Sequence, residues 1–267
     1  AFASDTFNCC SCCFLDCNSK SVWKGAMKIA LDSGHNAKNP DIGYLDCGAV
    51  NGKYTEADLA EKLKLSICQY LKGYIDYFVP TYYWNTQDRY RESVKNKCDY
   101  YLVIHLDSAN ATASGVHALY NDKGKEFAND LVYYICRYLG FANRGAKHYT
   151  TNPRAIAAFD IATIPYVLLE CGFISNAQDL DKHLKDREYI AQAITSVIAK
   201  YSNLENIKMR VGDTLATKNN TTHKLITAPQ IINGRTVLGL RDISVLFECK
   251  VLWHPQTKEI TILKKGG

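Results

Sequence analysis

Tyr100-Tyr101-Leu102-Val103-Ile104-His105-Leu106-Asp107 is the clearest strand signal in the chain, and the fold can be read outward from it. A run of aromatic, aliphatic and β-branched residues without a turn former predicts a strand buried on both faces. It delivers His105 at its carboxyl end. Two other apolar runs end in the same way. Met27-Lys28-Ile29-Ala30-Leu31 leads into Asp32-Ser33-Gly34-His35, and Tyr166-Val167-Leu168-Leu169 leads into Glu170. Helical patterns lie between these strands. Thr55 is a suitable N-cap for a helix carrying Leu59, Leu63, Ile67 and Leu71, four residues apart, up to Gly73. A short polar helix is expected from Asp88 to Lys97. Phe127, Leu131, Tyr134, Ile135 and Tyr138 mark an amphipathic helix that Gly140 ends, and Ile190, Ile194, Val197, Ile198 and Tyr201 mark another. Tyr77 to Tyr83 reads as a strand that Pro80 pushes to a sheet edge, and Gly115 to Tyr120 alternates weakly. Strands alternating with helices predict an α/β fold: a largely parallel twisted sheet flanked by helices.

After Tyr201 the pattern changes. The remainder alternates with a period of two, and Asn233-Gly234 lies between two short β-prone runs, a strong hairpin cue. A second hairpin is expected across His254 to Lys258, with one helix around Arg241 to Phe247. The expected organisation is therefore a Cys-rich leader over 1–23, an α/β domain over 24–203 and a small, mostly β accessory module over 208–267. No apolar run approaches the roughly 20 residues a bilayer span needs. The net charge of +5 is spread without a dense basic block, so nucleic-acid binding gains no support, while anionic wall polymers are compatible partners. Ala1-Phe2-Ala3 has the small-x-small form of the end of a secretory signal. Five of the 11 cysteines crowd Cys9 to Cys17, in a spacing that is not that of a zinc finger or ribbon. Disulfide use, metal binding and an unstructured leader all stay open for them. Cys68, Cys136 and Cys171 sit within apolar patterns and read as small buried hydrophobes.

Working residues of an open α/β sheet lie at the carboxyl ends of its strands. His35, His105 and Glu170 are all in such positions, and Glu56 opens the first helix. Two imidazoles and one carboxylate are a common catalytic zinc set that leaves a position for water, with a further carboxylate as general base. In order along the chain, Ser33-Gly34-His35, Thr55-Glu56, Ile104-His105 and Glu170-Cys171-Gly172-Phe173-Ile174-Ser175-Asn176 resemble the motifs of the zinc-dependent type 3 N-acetylmuramoyl-L-alanine amidases. The resemblance covers about 175 residues, Met27 to Tyr201. It implies Zn2+ as cofactor, His35, Glu56 and His105 as its ligands, and Glu170 as the catalytic carboxylate. It also implies a substrate, the amide between the lactyl group of N-acetylmuramic acid and L-alanine of the peptidoglycan stem peptide.

Several positions depart from the family's pattern. Ser33 and Asn36 replace a Pro and a Gly around the first His, Asp107 replaces an Asn, and His117 replaces a Glu. The family's Thr-Arg pair is missing, with Arg91 the candidate for its helix arginine. His117 reads as an exposed strand residue or a groove residue. His148 lies in a loop that could border the cleft, and His183, His223 and His254 read as solvated. The tail resembles the copper amine oxidase N-terminal-like module. Its carrying residues are Pro229 to Thr236, Leu240-Arg241-Asp242-Ile243 and Val251-Leu252-Trp253, and they imply attachment or interaction, with no copper set in the tail. The expected protein is a peptidoglycan hydrolase, extracellular or wall-associated, either secreted or released as a phage lysin. Two alternatives remain at this point: a zinc peptidase or deacetylase on wall peptides, and a non-catalytic wall-binding protein.

Overall fold

A computed structural model describes residues 27–35, 46–81, 85–152, 156–202, 207–218, 221–254 and 257–264. The Cys9–Cys17 cluster and the 1–23 leader lie outside them. The chain divides into two compact units, Ala1–Asn203 and Leu204–Gly267.

In chain order the first unit runs β1 (Lys28–Ser33), β2 (Val50–Asn51), β3 (Tyr54–Thr55), α1 (Glu56–Leu71), β4 (Asp76–Phe78), α2 (Thr86–Lys95) and β5 (Tyr100–Asp107). It continues through β6 (Val116–Tyr120), α3 (Lys125–Leu139), β7 (Asn143–His148), α4 (Ala157–Asp160), β8 (Tyr166–Phe173), α5 (Ala177–Lys185) and α6 (Arg187–Tyr201). Six strands form one sheet in the order β4-β1-β5-β8-β6-β7. Every pairing is parallel except β6 with β8. The sheet is thus largely parallel and covered by helices, as the alternation of elements predicts. β4 lies at an edge and ends at Phe78, before Pro80, whose missing N–H could not serve a ladder.

Successive side chains on β5 point to opposite faces. Tyr101 and Val103 join Tyr90, Phe159, Tyr166 and Leu168 in the core under α2 and α4. Leu102 and Ile104 are fully buried on the other face, where α1, α3 and α6 pack together. The same alternation puts His105 and Asp107 on the α2/α4 side, at the strand's carboxyl end. That end holds the site.

Two segments differ from expectation. His148 is in a strand, β7, at the sheet edge opposite β4. The polar sequence Asn-Arg-Gly-Ala-Lys-His hides this strand because an edge needs little apolar surface. His183 is not solvated. It is 1% exposed, with Nε2 2.6 Å from the Cys171 carbonyl oxygen. α5 turns its Leu180 face inward and carries His183 with it.

The second unit holds a three-stranded antiparallel sheet of β9 (Ile207–Met209), β10 (Leu215–Lys218) and β11 (Thr221–Lys224). The hairpin β12 (Gln230–Ile232) and β13 (Arg235–Val237), helix α7 (Leu240–Leu246), and the hairpin β14 (Cys249–His254) and β15 (Glu259–Lys264) follow. Asn233 and Gly234 both have positive φ, which a two-residue hairpin turn requires. Ala216, Leu225 and Leu246 make its small core.

Candidate metal centre and active site

Three elements converge at the sheet's carboxyl edge. β1 ends at Ser33, and the chain turns so that His35 adopts φ 63°, an uncommon conformation for a non-glycine residue. The Gly34 amide donates to the Ile104 carbonyl at 2.7 Å, which ties this turn to β5. Glu56 is the first residue of α1. The Thr55 side chain accepts from the Asp58 amide at 3.2 Å as its cap, so the cap predicted from sequence fixes where Glu56 points. His105 comes from β5.

One donor atom from each of His35, Glu56 and His105 lies within 4.8 Å of the others. Glu56 is 5% exposed and bridges the two rings. Its Oε1 lies 2.8 Å from His105 Nδ1 and its Oε2 lies 3.1 Å from His35 Nε2. It also accepts from the Leu106 and Ala49 amides, at 3.2 and 3.1 Å. Burial favours a protonated acid here. The hydrogen bonds with His105 and His35 outweigh it and hold Glu56 well below the usual carboxylate range. Burial likewise opposes charge on His35, but Glu56 and then Asp46 raise it to about 9. Two imidazoles converging on an ionised carboxylate in a partly buried site is a donor set that suits a divalent cation, and a cation bound there would compete with the proton on His35. A second carboxylate, Asp46, sits 2.8 Å from His35 Nδ1, where it orients the ring.

Glu170 faces the same space. In the sheet it lies level with His105 on one side and His117 on the other. All three line a cavity of about 660 Å³ that also takes in His35 and Glu56. His117 is therefore a groove residue and not an exposed one, its side chain 17% exposed and its Nε2 3.8 Å from Asp107 Oδ2.

Residues 29–200 match the N-acetylmuramoyl-L-alanine amidase family. The chain belongs to that family. Residues 187–262 match the copper amine oxidase N-terminal domain. A curated relative, the uncharacterized protein YqiI of Bacillus subtilis strain 168, is 24% identical over 183 residues, covering 64% of this chain and 81% of the relative. Among solved structures, the catalytic domain of the amidase CwlV from Bacillus (Paenibacillus) polymyxa var. colistinus superposes with a TM-score of 0.57 at 24% identity, over 66% of this chain and 97% of that one. A putative N-acetylmuramoyl-L-alanine amidase from Neisseria meningitidis does so with 0.56 at 26% identity, over 66% and 95%.

Much of the amidase signature is scaffolding around the cleft. In Glu170-Cys171-Gly172-Phe173-Ile174-Ser175-Asn176, Gly172 has φ 112°, which a side chain would strain. Ser175 Oγ accepts from the Ala109 amide at 3.1 Å. Asn176 caps α5 by accepting from the Gln178 and Asp179 amides, and donates to the Ala111 carbonyl at 2.8 Å. The motif thus clamps the loop after β5 against the end of β8. Behind the first histidine is a buried network. Arg89 Nη1 donates to Asp32 Oδ1 at 2.8 Å and to the Ser33 carbonyl at 3.0 Å, and the Tyr101 hydroxyl donates to Asp32 Oδ2. Ser33 Oγ donates to Glu61 Oε2 at 2.7 Å, and Glu61 pairs with Lys64. Of the two arginines of α2, Arg89 is the one buried behind the first histidine. Arg91 is 59% exposed at its side chain and pairs with Asp88.

Gly34 is required for space. A Cβ there would lie 2.1 to 2.4 Å from three atoms of the His105 ring, so the ring must move. If His105 ligates a metal, Gly34→Ala is expected to weaken its binding roughly ten- to hundredfold, the usual loss when a ligand's support is disturbed. Competition against a coloured chelator measures this, and unchanged affinity would show that His105 is not a ligand.

Proposed function

We propose that this protein hydrolyses the amide between the lactyl group of N-acetylmuramic acid and the L-alanine of the peptidoglycan stem peptide. His35, Glu56 and His105 hold a zinc ion, and Glu170 is the general base. The observation that carries the reading is the convergence of these three donors, with Glu170 level with His105 in the same cavity. A zinc ion held by these residues would supply Lewis acidity for activating water and the amide carbonyl. The protein's own groups do the rest. Asp46, on Nδ1 of His35, fixes that imidazole. Glu170 takes the proton of the attacking water and returns it to the departing alanine amine. The walls around Glu170 orient the amide and limit water.

The test is metal dependence of hydrolysis of a soluble muramoyl peptide. Purified protein is expected to bind one equivalent of zinc, to stop on chelation and to recover with added zinc. Full activity after the metal has been stripped would sink the zinc reading.

We further propose that 24–203 is the catalytic domain and 208–267 an accessory module that attaches the enzyme to the wall, so that the protein works outside the membrane. The matched C-terminal segment and its exposed Ile226, Ile231, Ile232 and Ile262 support an interaction role. No helix among the described residues is long and apolar enough to cross a membrane. Removing 208–267 is expected to weaken binding to intact wall in a sedimentation assay while soluble muramoyl peptides are still cleaved. Undiminished wall binding would contradict the attachment role.

A further inference from the structure

The cavity extends beyond the histidines and Glu56 along the sheet face, over Val103, Leu119, Tyr166 and Leu168. Its β6–β7 wall has a different chemistry from this apolar floor. Lys147 pairs with Leu119 in the β6–β7 register and lines the cavity with His117. Among the described residues it is the one lysine or arginine of the lining, and it makes no ion pair with any of them. Arg144, on the same strand, holds its guanidinium 5.0 Å from the Phe173 ring centre, and that ring is 6.3 Å from His117. Burial, against the opposing charge of Asp107, and then the charges of Arg144 and Lys147 hold His117 below the ordinary imidazole value. The acids of the lining among the described residues are Glu56, Asp107 and Glu170, all on the His105 side of the β6–β7 wall, with Asp107 Oδ2 3.8 Å from His117 Nε2.

Position along the strand gives the wall its meaning. His117 is level with Glu170, so it marks the scissile amide in the proposed reaction. Leu119, and with it Lys147, lies two residues further, about 7 Å on at the strand's rise. A peptide leaving the scissile bond in that direction brings the residue after L-alanine to Lys147. An ammonium with no ion-pair partner among the described residues, beside an apolar floor, suits an anionic group on a peptide.

We propose that the β6–β7 wall is a carboxylate subsite for the stem peptide, in which Lys147, with His117 beside it, receives a free carboxylate on the residue that follows L-alanine. This inference rests on the amidase reading of the same cavity. It makes the enzyme selective for stem peptides whose second residue keeps its carboxyl group over those in which that group is a carboxamide.

The test uses two N-acetylmuramoyl dipeptides, identical except for a free α-carboxylate or its carboxamide on the second residue. The wild-type enzyme is expected to favour the acid roughly tenfold in kcat/KM, chiefly through KM, the scale of a charge-assisted hydrogen bond. Lys147→Met should bring that ratio close to one, and Lys147→Arg should keep most of it. The ratio is its own control, since a poorly folded variant loses both substrates alike. Equal cleavage of the two by wild type, or a preference that survives Lys147→Met, overturns the subsite. Calorimetric binding of alanyl-glutamate and its amide supplies a readout free of catalysis. If wild type cleaves neither substrate, the amidase reading has failed and calorimetry alone decides. Tighter binding of the acid, lost in Lys147→Met, then keeps the subsite, and equal binding removes it.

Discussion

Replacing Glu170 by glutamine is expected to lower kcat on muramoyl peptides by roughly 10²- to 10⁴-fold while metal content stays at the wild-type level. Glutamine keeps the shape and the strand position but cannot accept a proton. Glu170 lies between His105 and His117 in the sheet, yet it is outside the trio whose donor atoms converge, and for that reason the loss should fall on turnover and not on metal binding. Two results would redirect the assignment. Loss of metal in Glu170→Gln would make Glu170 a ligand. A drop of less than about tenfold would place the base elsewhere.

The second large effect is on stability. Arg89 and Asp32 form an ion pair with both partners buried, 6% and 2% exposed. Their charges are matched by hydrogen bonds from Arg89 to the Ser33 carbonyl and from Tyr101 to Asp32. Burial first, then the Asp32 charge, raises the Tyr101 hydroxyl well above its ordinary value, so it remains a donor. Arg89→Met leaves the Asp32 carboxylate buried without its counter-charge, which typically costs about 3–5 kcal/mol. In a domain of this size that lowers Tm by roughly 10 °C. The neighbouring Arg91→Met removes an exposed i,i+3 pair and should cost less than about 0.5 kcal/mol. Thermal unfolding of the two variants side by side distinguishes them. Equal losses would mean that the buried network does not hold the end of β1.

These two variants also mark where the sequence was legible. His35, His105 and Glu170 end apolar runs, and Glu56 follows a capping threonine, so the four residues that line one cavity could be read from strand ends and one helix start. The core helices carry strong apolar spacing and could be phased. α2 could not. Its sequence Thr-Gln-Asp-Arg-Tyr-Arg-Glu-Ser-Val-Lys has no apolar stripe, so Arg89 and Arg91 look alike until tertiary packing buries Tyr90, Ser93 and Arg89. Asp46 sits in a Gly- and Asp-rich loop with no period to place it, although its carboxylate orients His35. β7 was hidden because an edge strand needs little apolar surface. His117 needed the antiparallel β6–β8 register, which links residues 53 positions apart and leaves no local trace.

In the proposed reaction this chain cuts the muramoyl–alanine amide with a metal held by His35, Glu56 and His105. The most direct measurement is end-group analysis of purified peptidoglycan digested by the full chain, with and without chelator. New L-alanine amino termini are expected, with no new reducing sugar ends, and both the termini and the loosening of the wall should be lost when metal is removed. New amino termini from any other residue, new reducing ends, or cleavage that persists without metal would contradict it.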